Sequence, residues 1–575
     1  MKCVINILSL ALILFSYHAK GQGLIIPSGA HIVAPAGSHI AVKEKFENNG
    51  SFTHEGTLHF TGANQAINGS TATTFNNIVV NSGSSTTINA TGQSLKRTLL
   101  CNGVLDASGN LTLLSTPLQT ALVDGAGTGN ILGNLTMQRY IDTAYGYKYL
   151  GSPFQYATVS QLADELDLGA SFPPLYRYDE TVNSTGWYFY TTATDTLQPL
   201  QGYAANFGEA GGPLTVDITG VVNNGPVSTT IYNNNQTYTQ GFNLMSNPYP
   251  SPIDWDAGSG WTRNNIDDAV YFFDAGTTDQ YTGTYSSYIN GVSSDGVADN
   301  IIPSMQGFFV HVSDGSYPVT GTLAMNNSVR VNNFTATYHK QTSIEVPLIR
   351  LAAKYEGAEN TGDAAALYFN PAATVAYDKT YDALKLLNTD PSVPNLYFAS
   401  PGGVHLSVSS MPTPADSITM VPLGLSLAKD GLVQFKLQHI AYLPAGMRVY
   451  LGDAGRQTIT ELTPATGYYT LLEKGTYENR FSLIFSSTSL PDKLFTANLL
   501  NAYAANGKIY AYLNFVTGDN GTLIITNILG QVLHKQQVSG LGYHEIPAPF
   551  TSGIYVVSFR SQNGIFSSKL FIGNN

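Results

Sequence analysis

Residues 146–153 read "GYKYLGSP" and residues 241–248 read "GFNLMSNP", an offset of 95 (241 less 146). Downstream, "LYRYD" (175–179) matches "VYFFD" (270–274) at the same offset. "LQGYAAN" (200–206) then matches "MQGFFVH" (305–311) at an offset of 105 (307 less 202). The ten additional residues fall in "TGTYSSYINGVSSDGVADN", a Gly/Ser-rich stretch where a surface loop absorbs insertions at small entropic cost. Each matched block is aromatic, alternating and bounded by Gly or Pro, which predicts strands. Three blocks in one order predict two copies of one all-β unit within residues 137–335, with Pro153 and Pro248 equivalent just past a strand end.

Outward from the duplication, the chain keeps the same character. Before it, "AHIVAPAGSHIAV", "GSFTHEGTLHF", "FNNIVVNSGSSTTIN" and "GVLDASGNLTLLS" are short apolar runs separated by Gly, Asn and Ser. That spacing suits a sandwich or the stacked coils of a β-solenoid, and a solenoid-like domain over 22–136 is the expectation. After it, "SIEVPLIRLAAKY", "AAALYFN", "GLVQFKL", "MRVYLGD" and "RFSLIFS" predict a β-sandwich over 345–488. "PDKLFTANLLNAYAANG" reads as a linker into a last unit, 507–575, with enough strands for a small Ig-like sandwich. The fold class is therefore all-β in several domains, because 575 residues exceed a single core.

Composition narrows the function. Charged residues make up 11%, well below the roughly 25% of an average soluble domain, and the net charge is -12. No basic cluster is present to neutralise phosphates, so a nucleic-acid partner is not expected. "MKCVINILSLALILFSYHAKGQG" carries a basic Lys2, an apolar run from Val4 to Phe15, and small Ala19 and Gly21. This is the layout of a secretory signal, with cleavage expected between Gly21 and Gln22. The apolar run is shorter than the roughly 20 residues of a membrane-spanning helix, so a membrane-spanning chain is not expected. Removing residues 1–21 would leave Cys101 as the sole cysteine, so core burial and not disulfides must hold the chain together.

The last unit carries "TNILGQVL" (526–533), "SGIYVVSF" (552–559) and a terminal "SKLFI" (568–572). As an ordered set these resemble the C-terminal sorting domain, type A, of proteins exported by the type IX secretion system of Bacteroidetes. Where that family commonly opens with Pro-Asn-Pro, this sequence has "NAYAANG". The resemblance implies passage through the periplasm to the cell surface or medium. Its implied partners are the secretion machinery and a sorting protease, and its implied signal residues are Gly553, Tyr555, Lys569, Leu570, Phe571 and Ile572. Leu570 to Ile572 are expected to be buried, each side chain worth about 1.5–3 kcal/mol. "GFNLMSNPYPSPIDW" and "IIPSMQGFFVH" also resemble segments recurring in large secreted proteins of these bacteria, a likeness that implies no activity.

Chemistry is sparse. No H-E-x-x-H, zinc-spaced Cys/His, G-x-S-x-G or P-loop motif occurs. His31, His39, His54 and His59 could converge if coils stack, but exposed polar positions on a solenoid face are the favoured reading. Asp254, Asp256, Asp267, Asp268 and Asp274 suit turns and caps; a calcium site or a glycosidase-like carboxylate pair are the other readings. Trp187, Trp255 and Trp261 would serve equally as a glycan-stacking platform or as core. "DTA" (142–144), "DTL" (195–197) and "DSI" (416–418) look like O-glycosylation acceptors of these bacteria. No catalytic residue and no cofactor beyond calcium is expected. The sequence thus points to an exported adhesin-like or structural protein, with a carbohydrate-binding or carbohydrate-degrading protein as the alternative and a surface glycan or extracellular polymer as partner.

Overall fold

Period-two alternation interrupted every few residues by Gly, Asn and Ser gives strands along the whole chain. No α-helix occurs among the described residues, only two short 3-10 turns. The structure, a computed structural model, describes residues 23–182, 185–190, 192–276, 278–334, 346–359, 362–414, 418–490, 500–505, 508–514, 520–539, 541–561 and 564–572. The signal-like segment, the acceptor-like Asp416 and Ser417, and most of the proposed linker lie outside these. The chain is all-β and divides into two units, residues 1–113 with 127–135, and residues 114–126 with 136–575.

In the first unit, strands stack in parallel as coils of a β-solenoid, about twenty residues to a coil. Val42, Phe60, Val80 and Cys101 are successive Cα partners across four coils, and all four are buried. Leu24, Phe46, Ile67 and Ile88 form a second row of Cα partners, buried except for the half-buried Leu24 at its end. At the corners, Asn side chains bond from coil to coil, as Asn89 does to Asn68 (3.0 Å). The Cys101 thiol is free and buried, and burial raises its pKa.

The second unit takes in the segment 114–126, which the sequence reading had grouped with the solenoid. Val123 N–H donates to Pro250 O (2.8 Å), and the buried Arg330 guanidinium donates to Val123 O (2.6 Å). The matched blocks then form two sheets of the same order. In the first the strands run Tyr147–Leu150, Tyr203–Asn206, Leu175–Tyr178, Trp187–Phe189; in the second, Phe242–Ser246, Gly307–His311, Val270–Ala275, Gly283–Ile289. Registers correspond as well: Tyr147 faces Asn206 as Phe242 faces His311, and Tyr176 faces Ala204 as Tyr271 faces Phe309.

The two sheets meet reciprocally. Gly151 N–H donates to Met305 O (3.1 Å), and Ser246 N–H donates to Leu200 O (2.9 Å). Leu150 bridges Gln306, and Met245 bridges Gln201. Each interaction maps onto the other when the copies are exchanged, which defines an approximate two-fold axis. Leu200 and Met305 both take a left-handed backbone (φ 66 and 61), and both are buried. Such a conformation is costly for a large apolar residue, so its repetition marks a constraint common to both copies.

Beyond the duplication, eleven strands between Leu348 and Ser486 form one continuous sheet. Strands far apart in pairing order, such as those carrying Leu437 and Leu451, bury their apolar faces in one core, as the layers of a sandwich do. The described residues between 500 and 572 build a three-stranded and a four-stranded sheet around Leu513, Ile525, Val557 and Phe559. Leu500–Ala505, expected in the linker, is a strand of the first because Leu500 and Ala502 are buried in that core.

One buried group gives the solenoid a pH dependence. His54, stacked on Phe52 (5.1 Å), accepts a hydrogen bond from Asn76 N–H at Nδ1 (3.1 Å). Burial first, and the Lys96 charge second, push its pKa down to about 4 from 6.5. Below 6.5 the unfolded chain takes up a proton that the folded chain refuses, so stability falls as pH drops from 6.5 towards 4. We expect hydrogen-exchange protection of the strand Thr74–Val80, corrected for intrinsic rates, to fall over that window. The dependence should flatten in His54→Phe, and an equal pH dependence in the variant would contradict it.

Candidate functional site

The terminal hairpin pairs Gly553–Ser561 with Gly564–Ile572 at the edge of the four-stranded sheet. Strand alternation divides the candidate signal residues. Leu570 is 7% exposed and enters the core, whereas Phe571 is 65% exposed and Lys569 is also exposed. Ile572 lies between, packed against the core, and Gly553 is its Cα partner. The expectation that all three terminal apolar residues are buried is corrected here: period two turns Phe571 outward, beside the exposed Ile554. Tyr555 is structural, its hydroxyl donating to Thr551 O (2.6 Å) and its ring stacking on Phe550.

Trp255 is fully buried, with Nε1–H on Asp268 O (2.7 Å), so its face is closed to a sugar and the glycan-stacking reading is corrected for it. Trp261 packs on it edge to face, half-buried, and donates to Asp254 O (2.8 Å). The five aspartates do not share a site. Asp254 accepts Asp256 N–H and Asn300 in a turn, and Asp256 accepts the Tyr288 hydroxyl. Asp268 lies 3.8 Å from Arg263. Asp274 lies 3.5 Å from Lys148.

Asp267 is the exception in chemistry. It is buried and accepts from Ser313 Oγ (2.6 Å) and Tyr377 OH (2.6 Å), with His311 Nδ1 at 2.5 Å. Burial works to raise its pKa, yet the bonds and charge of His311, then Ser313 and Tyr377, hold it below the usual value. The residue types are those of a hydrolase triad, but Ser313 donates to the carboxylate and not to the imidazole. The cluster is a structural knot linking the second copy to the loop that carries Tyr377.

The sequence reading missed an aromatic surface. On the first copy's sheet, Tyr176 and Tyr178 point to one face, and their cross-strand partners Phe189 and Trp187 share it. The inner end is core: Tyr178, Trp187 and Tyr149 pack on Phe309 at 5.0, 6.3 and 5.7 Å. The outer end opens to solvent, where Phe172 (54% exposed), Phe189 (48%) and Tyr281 (50%) gather around Tyr176. Trp187 stands half-buried at the border between them. Phe172 and Tyr281 lie in loops outside the periodic blocks, and only folding brings them together.

Asp164, Glu165 and Asp217 place carboxylate oxygens within 4.8 Å of one another, the one such metal-ligand trio among the described residues. Burial, then Asp164, pushes Glu165 up to about 8. Such a trio suits a hard cation such as calcium in ligand type, and none of the three was singled out from sequence. In the solenoid, His39 and His59 approach to 3.0 Å and His31 meets Ser51 at 2.8 Å, while His54 lies inside the coil.

The chain belongs to the family described as Domain of unknown function (DUF8693), which matches residues 57–485. No curated protein matches its sequence. A solved structure titled "Biofilm associated protein - BSP domain" is 7% identical, covering 61% of this chain and 82% of that one with a TM-score of 0.13. At that level of similarity no function follows from it. No helix among the described residues is long and apolar enough to cross a membrane.

The Asp267 knot yields a direct test. Replacing the buried carboxylate weakens the acceptor that three buried donors share, which costs about 1–3 kcal/mol. Asp267→Asn should therefore lower the melting temperature and expose the strand Gly307–His311 to hydrogen exchange. A melting curve superimposable on the wild type would show that the network carries no stability.

Proposed function

We propose that this is an exported, adhesin-like surface protein that meets an extracellular polymer through the aromatic face of its first copy. The observation that carries this reading is the cluster of Phe172, Phe189 and Tyr281, held open to solvent on a sheet whose other end is core. Contiguous exposed rings are rare on monomeric soluble proteins and mark contact surfaces. Aromatic side chains bring large contact area at low entropic cost, and planar sugar faces stack on them. Degradation of that polymer has less support, because the five sequence-selected aspartates are dispersed into turns, ion pairs and the Asp267 knot.

Export rests on the signal-like N-terminus and on the resemblance of the last unit to a type IX sorting domain. We take residues 507–575 as the address, with Lys569 and Phe571 as the side chains offered to the machinery and Leu570 as the one that holds the strand in place. The protein would pass through the periplasm and be freed or anchored at the surface by a sorting protease.

Two experiments follow. In a host with this secretion system, removing Lys569–Asn575 should strand the chain in the periplasm, while Phe571→Ser should impair export with the domain still folded. Normal export of the truncated chain would overturn the address. Separately, Phe172→Ser combined with Phe189→Ser should weaken attachment to insoluble polysaccharide about tenfold or more, with stability within about 1 kcal/mol of wild type. Unchanged attachment would remove the aromatic face from the function.

A further inference from the structure

A cavity of about 660 Å³ lies in the second unit, where the two copies meet the strands that follow them. Its floor is buried and its mouth open. Tyr149, Phe272 and Gln306 are buried at the base, whereas Asp142, Asp274 and Val297 are exposed at the rim. The volume is that of a site for a small ligand.

Three rings shape one side. Tyr149 stacks on Phe273 (4.8 Å, 17° between planes), and Tyr285 sits 5.2 Å from Phe273. The Tyr149 and Tyr285 hydroxyls bond each other at 3.2 Å. These rings are fixed by the sheet contacts around the two-fold axis, so the wall is preformed.

The polar complement is dominated by acceptors. Asp142, Asp274, Asp295 and Asp363 line the cavity against a single lining cation, Lys148. Asp363 is already paired with Lys385 Nζ at 2.6 and 2.7 Å. Asp295 Oδ1 accepts from Ser286 (2.7 Å), Ser293 (2.9 Å) and Val297 N–H (2.9 Å). No three of these carboxylates converge closely enough to hold a metal ion, and their surplus over Lys148 disfavours an anion.

One group is left over. The Gln306 amide nitrogen donates to Gly307 O (2.7 Å) and Tyr149 O (3.5 Å), but its Oε1 is buried without a partner. Gln306 itself is 4% exposed. A buried acceptor without a donor costs free energy, and such a group in a native structure calls for an explanation. Gln306 lines the cavity, and a ligand hydroxyl at the floor would supply the donor once the side chain turns its Oε1, closed to solvent here, toward the cavity.

An aromatic wall, an unsatisfied acceptor at the floor, carboxylates at the rim and an excess of acceptors over donors describe one ligand chemistry. We propose that this cavity binds a neutral sugar residue, one face stacked on the Phe273 side and one hydroxyl donating to Gln306 Oε1. Asp274, held by Lys148, would accept a second hydroxyl near the mouth. The proposal does not depend on export or on the exposed rings Phe172, Phe189 and Tyr281, although Lys148 and Tyr149 of the cavity come from the same sheet.

The test is isothermal titration of the purified full chain with neutral oligosaccharides built from glucose, mannose and galactose, with oligogalacturonate and spermidine as charged controls. At least one neutral member should bind. Val297→Trp, which fills the mouth from an exposed position, should abolish that binding, and Asp274→Ala should weaken it about tenfold. Phe172→Ser, outside the cavity, should leave it intact, which separates this site from the exposed face. No neutral saccharide binding at millimolar concentration, binding indifferent to Val297→Trp, or preference for spermidine or oligogalacturonate would each overturn the proposal.

Discussion

The amides of Gln201 and Gln306 set the register in which the two copies meet, and the rest of the second unit is arranged around that contact. Each glutamine donates to the carbonyl of its own following glycine, and each also reaches the facing copy. Gln201 Nε2 lies 3.3 Å from Leu244 O, and Gln306 Nε2 lies 3.5 Å from Tyr149 O, the equivalent position. The glycines that follow permit this approach. A Cβ on Gly202 would stand 2.5 Å from Met245 O, and one on Gly307 would stand 2.8 Å from the Tyr149 Cβ. The left-handed Leu200 and Met305 turn each strand into that position.

From this contact the interior follows. Bringing the strands Tyr147–Leu150 and Gly307–His311 together lets Tyr149 meet Phe309 and Phe273, and one aromatic core serves both copies. Burial at this scale dominates over the polar terms, since each large side chain is worth about 1.5–3 kcal/mol while an average hydrogen bond nets nearer one. The polar groups instead specify arrangement. Arg330 donates to Ser251, Asn224, Asn327 and Val123, so it ties four chain segments into one geometry. The Asp267 knot does the same for the loop that carries Tyr377.

Much of this was legible in the sequence because it rests on local periodicity. The all-β class, the coils of short strands and the paired order of matched blocks follow from alternation and from Gly and Pro placement. "LQG" and "MQG" were visible as matches, but their meaning was not, since nothing local shows that the glutamine reaches across an axis. Leu570 and Phe571 illustrate a different limit: composition marks both as apolar, and only strand phase decides that one is buried and the other exposed. Trp255 and Trp187 differ for a similar reason, because tertiary packing closes one face and leaves the other at a border. Tyr281 is far in sequence from Phe172, Asp217 from Asp164 and Gln306 from Tyr149, so these sites exist only in the fold.

The central claim is that the two copies form one cooperative body through reciprocal contacts. It is tested most directly by native-state hydrogen exchange in Gly202→Ala. The new methyl group presses on Met245 O and Leu244, which touches only one of the two symmetric contacts. The Ser246 amide, bonded to Leu200 O, lies at the perturbed contact, and the Gly151 amide, bonded to Met305 O, lies at the other. If the copies form one body, both amides lose protection by the same free energy. Loss at Ser246 with Gly151 unchanged would show two independent contacts and contradict it.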